Sequence, residues 1–148
     1  MSLHPVKHDL KSTLWCGPAA LSAISGRPTS EIHGILKQVR NSCRPIKGIY
    51  NRELKAAAER LGYRLEPIFQ WCAGAPASWK KPTLAKFVRE NRQGLVGLPV
   101  VVQVTGHYVV IHKQTFMDNF CPEGVRLKRA PHRRCRVKNA WRAVPIVA

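Results

Sequence analysis

Acidic residues are scarce in this sequence. Asp and Glu number 8 against 25 Lys and Arg, a formal charge of +17 over 148 residues. That imbalance excludes a neutral surface and predicts attraction to something anionic: nucleic acid, an acidic protein face or anionic lipid. Also missing is an apolar run approaching the ~18–20 residues that a membrane-spanning helix needs. The first ten residues carry His4, Lys7, His8 and Asp9 and contain no apolar h-region, so no signal peptide is expected. The five cysteines (Cys16, Cys43, Cys72, Cys121 and Cys135) form no C-x-x-C pair. Structural zinc usually shows such pairs, so neither a metal nor any other cofactor is expected. Their odd number leaves at least one thiol unpaired, and without an export signal a reducing compartment is the default. Internal repeats and low-complexity tracts are absent.

What is present suits one domain with a real core: 45% of the residues are apolar and 22% charged. Residues 1–12 read as a polar N-terminal arm. Residues 13–148 read as a single domain with a basic C-terminal segment, 126–148. Within it, a helix is expected over 13–25, with Pro18 in its first turn and Gly26 as its stop. Thr29, Ser30 and Glu31 read as a polar cap before Ile32, Ile35, Leu36 and Val39 at helical spacing. Asn51 opens a third helix with Leu54, Ala57, Ala58 and Leu61 on one face. A short strand is expected over 63–69. Thr83 caps a fourth helix through Leu84, Phe87 and Val88, ended by Gly94.

The period then changes. Residues 99–104 form a β-branched run that reads as a buried strand. Residues 107–111 and 115–118 read as two more strands joined by a short hairpin. Residues 136–146 read as a last strand. Helices come first and an antiparallel sheet after, an α+β arrangement.

Three residues carry candidate chemistry. Cys16 lies at the expected start of the first helix, where free backbone N–H groups and the helix dipole stabilise a thiolate. His107 opens a strand, and Gly106 before it leaves one side of the imidazole open. A hairpin centred between His112 and Lys113 sets Asp118 directly opposite His107, ~5 Å away. A carboxylate there would orient the imidazole and stabilise its charged form. Asn119 is the register alternative, since a one-residue slip exchanges the strand faces. Separately, Arg126, Lys128, Arg129, Arg133, Arg134, Arg136, Lys138 and Arg142 fall in a segment without a single acid. They could contact phosphates non-specifically or seat on an acidic protein surface. Trp141 among them is expected to pack in the core.

The stretch Trp15-Cys16-Gly17-Pro18-Ala19-Ala20-Leu21 resembles the nucleophile helix of papain-like cysteine peptidases, in particular the bacteriocin-leader-processing type. Gly106-His107-Tyr108-Val109-Val110-Ile111 resembles their histidine strand. The order of further motifs is similar to small papain-like proteins of bacteriophages and prophages. Those motifs are Ser25-Gly26-Arg27-Pro28, Arg52-Glu53-Leu54, Leu61-Gly62-Tyr63, and Thr83-Leu84 with Phe87, and the resemblance spans roughly residues 13–120.

The resemblance implies a papain-like α+β fold with Cys16 as nucleophile, His107 as base and Asp118 as orienting acid. It also implies hydrolysis of peptide or isopeptide bonds in a peptide or protein substrate; acyl transfer uses the same triad. One departure stands out. Such enzymes usually carry an oxyanion-hole Gln just before the nucleophile, and here Leu10 to Leu14 contain neither Gln nor Asn; Ser12, Thr13 or backbone amides would have to substitute. Losing such a donor costs ~10²–10³ in rate. The rival expectation is therefore a catalytically idle papain-like scaffold or adaptor of a phage-like particle, binding phage structural proteins, nucleic acid or an acidic surface. The expected location is the cytoplasm or such a particle.

Overall fold

The computed structural model describes residues 2–10, 15–71, 74, 76 and 80–147. Its elements in chain order are α1 (Cys16–Ser25), α2 (Thr29–Arg40), α3 (Asn51–Arg60), β1 (Tyr63–Gln70), α4 (Leu84–Glu90), β2 (Val100–Val104), β3 (His107–His112), β4 (Thr115–Met117), β5 (Val125–Arg126) and β6 (Val137–Pro145). Short 3-10 turns lie at Gln93–Leu95 and Leu127–Arg129. The six strands form one antiparallel sheet in the order β1-β6-β2-β3-β4-β5, so the last strand inserts between β1 and β2. The fold is α+β, as the order of periodicities implies.

The sheet has a core on each face. On one side α1, α2 and α3 bury Leu21, Ile24, Ile32, Leu36 and Leu54 against Val101, Tyr108, Val110 and Trp141. On the other, Leu84 and Phe87 of α4 join Leu95 and Leu127 against Val100, Val102, Val109, Ile111 and Phe116. Successive strand residues point to opposite faces, so a strand covered on both sides must be apolar throughout. This is why β2 and β3 read as continuous Val/Ile runs, and why α1, seated directly on the sheet, is Ala-rich and buried from Gly17 to Ile24. Gly17 has a steric reason to be small: a Cβ there would come within 2.5 Å of the Ile49 side chain. No described helix is long and apolar enough to cross a membrane.

Several boundaries differ from the sequence reading. Helix α2 already includes Thr29, and its exposed N–H groups are served from a distance. Asp9 accepts the Ser30 N–H at 2.8 Å and the Thr29 hydroxyl at 3.1 Å, and it also takes the Ser30 hydroxyl. These bonds hold the Asp9 carboxyl below its ordinary range, the Ser30 hydroxyl first among them. Local sequence cannot show a cap donated from twenty residues upstream. Helix α4 stops at Glu90 rather than at Gly94, because Asn91 leaves helical geometry and donates its side-chain amide back to the Phe87 carbonyl.

The β3–β4 hairpin is centred between Lys113 and Gln114, one position later than expected. His112 pairs with Thr115, Ile111 with Phe116 and Val110 with Met117. Lys113 takes the positive φ of 56° that this tight turn requires. Residues 2–10 run along the body, with Val6 buried and its N–H donated to the Pro122 carbonyl.

Candidate active site

Helix α1 and the β3–β4 hairpin meet at one end of the sheet. Helix α1 brings Cys16 as its first residue, after Trp15 in extended geometry. Strand β3 brings His107 as its first residue, directly after the β2–β3 turn, where Gly106 has a φ of 69°. That value lies in the left-handed region, which glycine enters without a Cβ penalty. Asp118 follows the last residue of β4. It is buried, and its Oδ1 accepts the N–H groups of Phe120 at 3.0 Å and Cys121 at 2.8 Å. Its Oδ2 receives His107 Nε2 at 2.9 Å. With Nε2 so occupied, Nδ1 is the ring nitrogen left for the Cys16 sulfur, and the two groups shift each other's ionisation.

The electrostatics follow from these contacts. Burial by itself raises the Cys16 thiol. It is outweighed by the His107 hydrogen bond and charge and by the N–H groups of Tyr108 and Cys16 itself, so the net shift is downward. Burial opposes the charge on His107. The hydrogen bonds and charges of Asp118 and Cys16 overcome it and lift the imidazole to about 9. Asp118 is penalised by burial but ends below its ordinary value through His107 and its two backbone donors. Between the lowered thiol and the raised imidazole lies a pH window in which thiolate and imidazolium coexist.

Asp118, rather than Asn119, reaches His107; the Asn119 carbonyl instead lies 3.2 Å from His8 Nε2. Ser12 and Thr13 lie outside the described residues, as does Cys72. Cys43, Cys121 and Cys135 are free thiols; burial raises the Cys121 thiol, and the Cys135 sulfur lies 3.9 Å from His132 Nδ1. The eight basic residues of the C-terminal segment are all exposed. Arg142 pairs with Glu66 at 3.6 Å, and the Arg136 and Arg133 guanidinium groups donate to the carbonyls of Lys81 and Lys128. Lys128 and Arg133 also rim a cavity of about 560 Å³ between α4 and the 3-10 turns, remote from Cys16. Trp141 is buried in the helix-side core, with Lys55 over its ring.

Two neighbours of the site escape sequence reading. His132 tilts over His107, with ring centroids 4.7 Å apart, and its Nε2 lies 3.7 Å from Asp118 Oδ2. Burial and the neighbouring His107 charge both lower its pKa. Phe120, 62% exposed, stacks against the outer side of His107 at 6.2 Å. The hairpin register puts Phe120 in line with His107 and could have signalled it; nothing in the spacing of a histidine 25 positions later points to His132.

No family model matches the chain, and no curated protein does. Among solved structures, the chain is similar to a double glycine motif protease from an AMS/PCAT transporter, whose crystal structure is a complex with the leader peptide. The TM-score is 0.54 at 15% identity, over 95% of this chain and 91% of that one. The shared feature is the fold: helices packed on an antiparallel sheet in the papain-like manner.

Proposed function

We propose that the protein is a papain-like cysteine peptidase, a thiol hydrolase of peptide or isopeptide bonds, with Cys16, His107 and Asp118 as its triad. The observation that carries this reading is the 2.9 Å contact from His107 Nε2 to Asp118 Oδ2, with the Cys16 thiol drawn down by that same imidazole. The β3–β4 hairpin brings His107 and Asp118 together, and Cys16 reaches them from a helix at the other end of the sequence.

In the proposed reaction the Cys16 thiolate attacks the substrate carbonyl carbon, and the carbonyl π electrons move to oxygen. The Cys16 N–H, at the first turn of α1 where no intrahelical acceptor exists, is proposed as a donor to that oxyanion. Ser12 and Thr13, just upstream, are proposed as further donors in place of an amide side chain. Collapse breaks the C–N bond, and His107 gives its proton to the leaving amine. A water then attacks the thioester and passes a proton to His107, and the acid leaves as the thiolate re-forms. Throughout, Asp118 holds the ring orientation and the positive charge.

A peptide substrate suits this chemistry, and the leader peptide bound by the structural neighbour supports it. The direct test is labelling with an electrophilic peptide probe followed by peptide mass mapping. Cys16 should label ahead of the other four thiols, and His107→Ala should abolish that preference. Labelling of Cys16 no faster than that of Cys43, unchanged by His107→Ala, would overturn the reading.

One observation favours a second reading, a papain-like adaptor of a phage-like particle that binds nucleic acid or an acidic protein face: eight exposed cations in an acid-free segment. Non-specific DNA binding that weakens steeply with salt would support it. No binding at low salt would remove its nucleic-acid form.

A further inference from the structure

We propose that His107, Asp118 and His132 form a binding site for one borderline transition-metal dication of the Zn²⁺ class. The three side chains offer one ligand atom each, and those atoms lie within 4.8 Å of one another. Both imidazoles address the same carboxylate oxygen, Asp118 Oδ2, from 2.9 Å and 3.7 Å. Ligands ~2.1 Å from a tetrahedral Zn²⁺ stand ~3.4 Å from each other, and the two observed separations fall on either side of that value.

The 3.7 Å gap is too long for a hydrogen bond. The other nitrogen, His132 Nδ1, has the Cys135 sulfur, at 3.9 Å, as its partner among the described residues. His132 is thus placed beside a buried carboxylate without hydrogen-bonding it. It is also held at a φ of 65°, a left-handed backbone that non-glycine residues seldom adopt. Meanwhile Asp118 Oδ1 is fixed by two backbone N–H groups, so the carboxylate is pre-oriented with Oδ2 toward the imidazoles. Supporting bonds of this kind behind a ligand are what well-defined metal sites use.

The donor set selects the ion. Two imidazole nitrogens and one carboxylate oxygen suit Zn²⁺, Co²⁺ or Ni²⁺, whereas Mg²⁺ and Ca²⁺ need oxygen ligands. His132 is partly exposed, 30% by side chain, which leaves an approach from solvent and room for a water as the fourth ligand. The effect on turnover rests on the peptidase reading, but the binding does not. On binding, the metal replaces the proton on His107 Nε2, which leaves to solvent. The ring is then neutral with its hydrogen on Nδ1, a far weaker acid than the imidazolium, and it cannot protonate the leaving amine. The ion would be a reversible off-switch that acts on the imidazole and leaves the sulfur uncapped.

The test uses the full, tag-free chain. In a Cys16→Ala background, which removes the thiol that shares His107, equilibrium dialysis should find one Zn²⁺ per chain, not displaced by excess Mg²⁺. Adding His132→Asn, chosen because asparagine tolerates the left-handed backbone, should weaken that affinity at least tenfold. Co²⁺ in the same background should give a tetrahedral visible spectrum without thiolate charge-transfer bands. With the Cys16-containing chain, Zn²⁺ should inhibit peptide cleavage, and His132→Asn should require at least tenfold more. Equal affinity with and without His132, or a thiolate band in the Co²⁺ spectrum, would overturn the site. A chain that binds Zn²⁺ as described yet cleaves no peptide would instead count against the peptidase reading alone.

Discussion

His107 Nε2 and Asp118 Oδ2 lie 2.9 Å apart although the two residues are not cross-strand partners. Continued past Met117, the β3–β4 register would set Phe120, not Asp118, opposite His107. Asp118 is the diagonal neighbour two positions away, and it closes the distance because the chain leaves strand geometry after Met117 and turns, with its own Oδ1 binding the turn N–H groups.

That dependence makes Asp118→Asn informative. The amide keeps the shape but presents an NH₂ group where His107 needs an acceptor, which favours the wrong tautomer. The His107 titration, followed by NMR of its ring protons, should move down from about 9, since the partner that raises it is gone. Cleavage should fall by ~10²–10⁴, as in triads that lose this charge. An unchanged His107 titration would refute the coupling.

Alkylation of Cys16 by iodoacetamide should persist at lower pH than alkylation of the exposed Cys43. The thiol is shifted below its ordinary 9.0, so its thiolate survives where an ordinary cysteine has protonated. His107→Gln removes the main stabilising partner and should return the acidic limb of the rate profile to the ordinary thiol range. Coincident profiles for Cys16 and Cys43 would contradict the ion pair.

Arg40 and Glu53 give a stability prediction remote from the chemistry. Glu53 is buried, receives Arg40 Nε at 2.8 Å and Nη2 at 2.9 Å, and also accepts the Tyr50 N–H that opens α3. The Arg40 hydrogen bond is the chief cause that takes its carboxyl from 4.5 to about 2. A depressed folded value stabilises the fold above the unfolded value, and that contribution is lost as pH falls from about 4.5 toward 2. Glu53→Gln should therefore cost on the order of 3 kcal/mol at pH 7 and far less near pH 2. Urea unfolding at the two pH values measures the difference.

Gly106→Ala tests the turn that presents His107. A Cβ there meets nothing within 4 Å, so any cost comes from the φ of 69° alone. Destabilisation of ~1–2 kcal/mol is expected, with Gly106→Asn milder. Equal thermal stability of the alanine variant would show that the turn relaxes freely.

The hairpin shows why the site was legible despite an error. The expected register was displaced from the observed one by two residues in partner numbering. A displacement of two preserves the face on which each side chain lies, whereas a displacement of one reverses it. Asp118 thus stayed on the face of His107, and Asn119 did not. The helix faces were legible for a similar reason, because Leu54, Ala57 and Ala58 repeat with the helical period whatever they pack on. The Asp9 cap and the position of His132 were not, since each depends on where a distant segment is laid by packing rather than on any local period.

By itself the sequence determined the element types, a buried β-branched strand and the uncommon positive charge, and it singled out Cys16, His107 and Asp118 as candidates. The element types follow from short-range period, and each candidate stands in a short local motif. Only the tertiary structure decided that the start of α1 abuts the start of β3, that β6 inserts beside β2, and that His132 is brought to the same carboxylate as His107. Such contacts join positions as far apart as Cys16 and His107. They are fixed by burying both sheet faces at once, a condition on the whole chain that no local stretch contains.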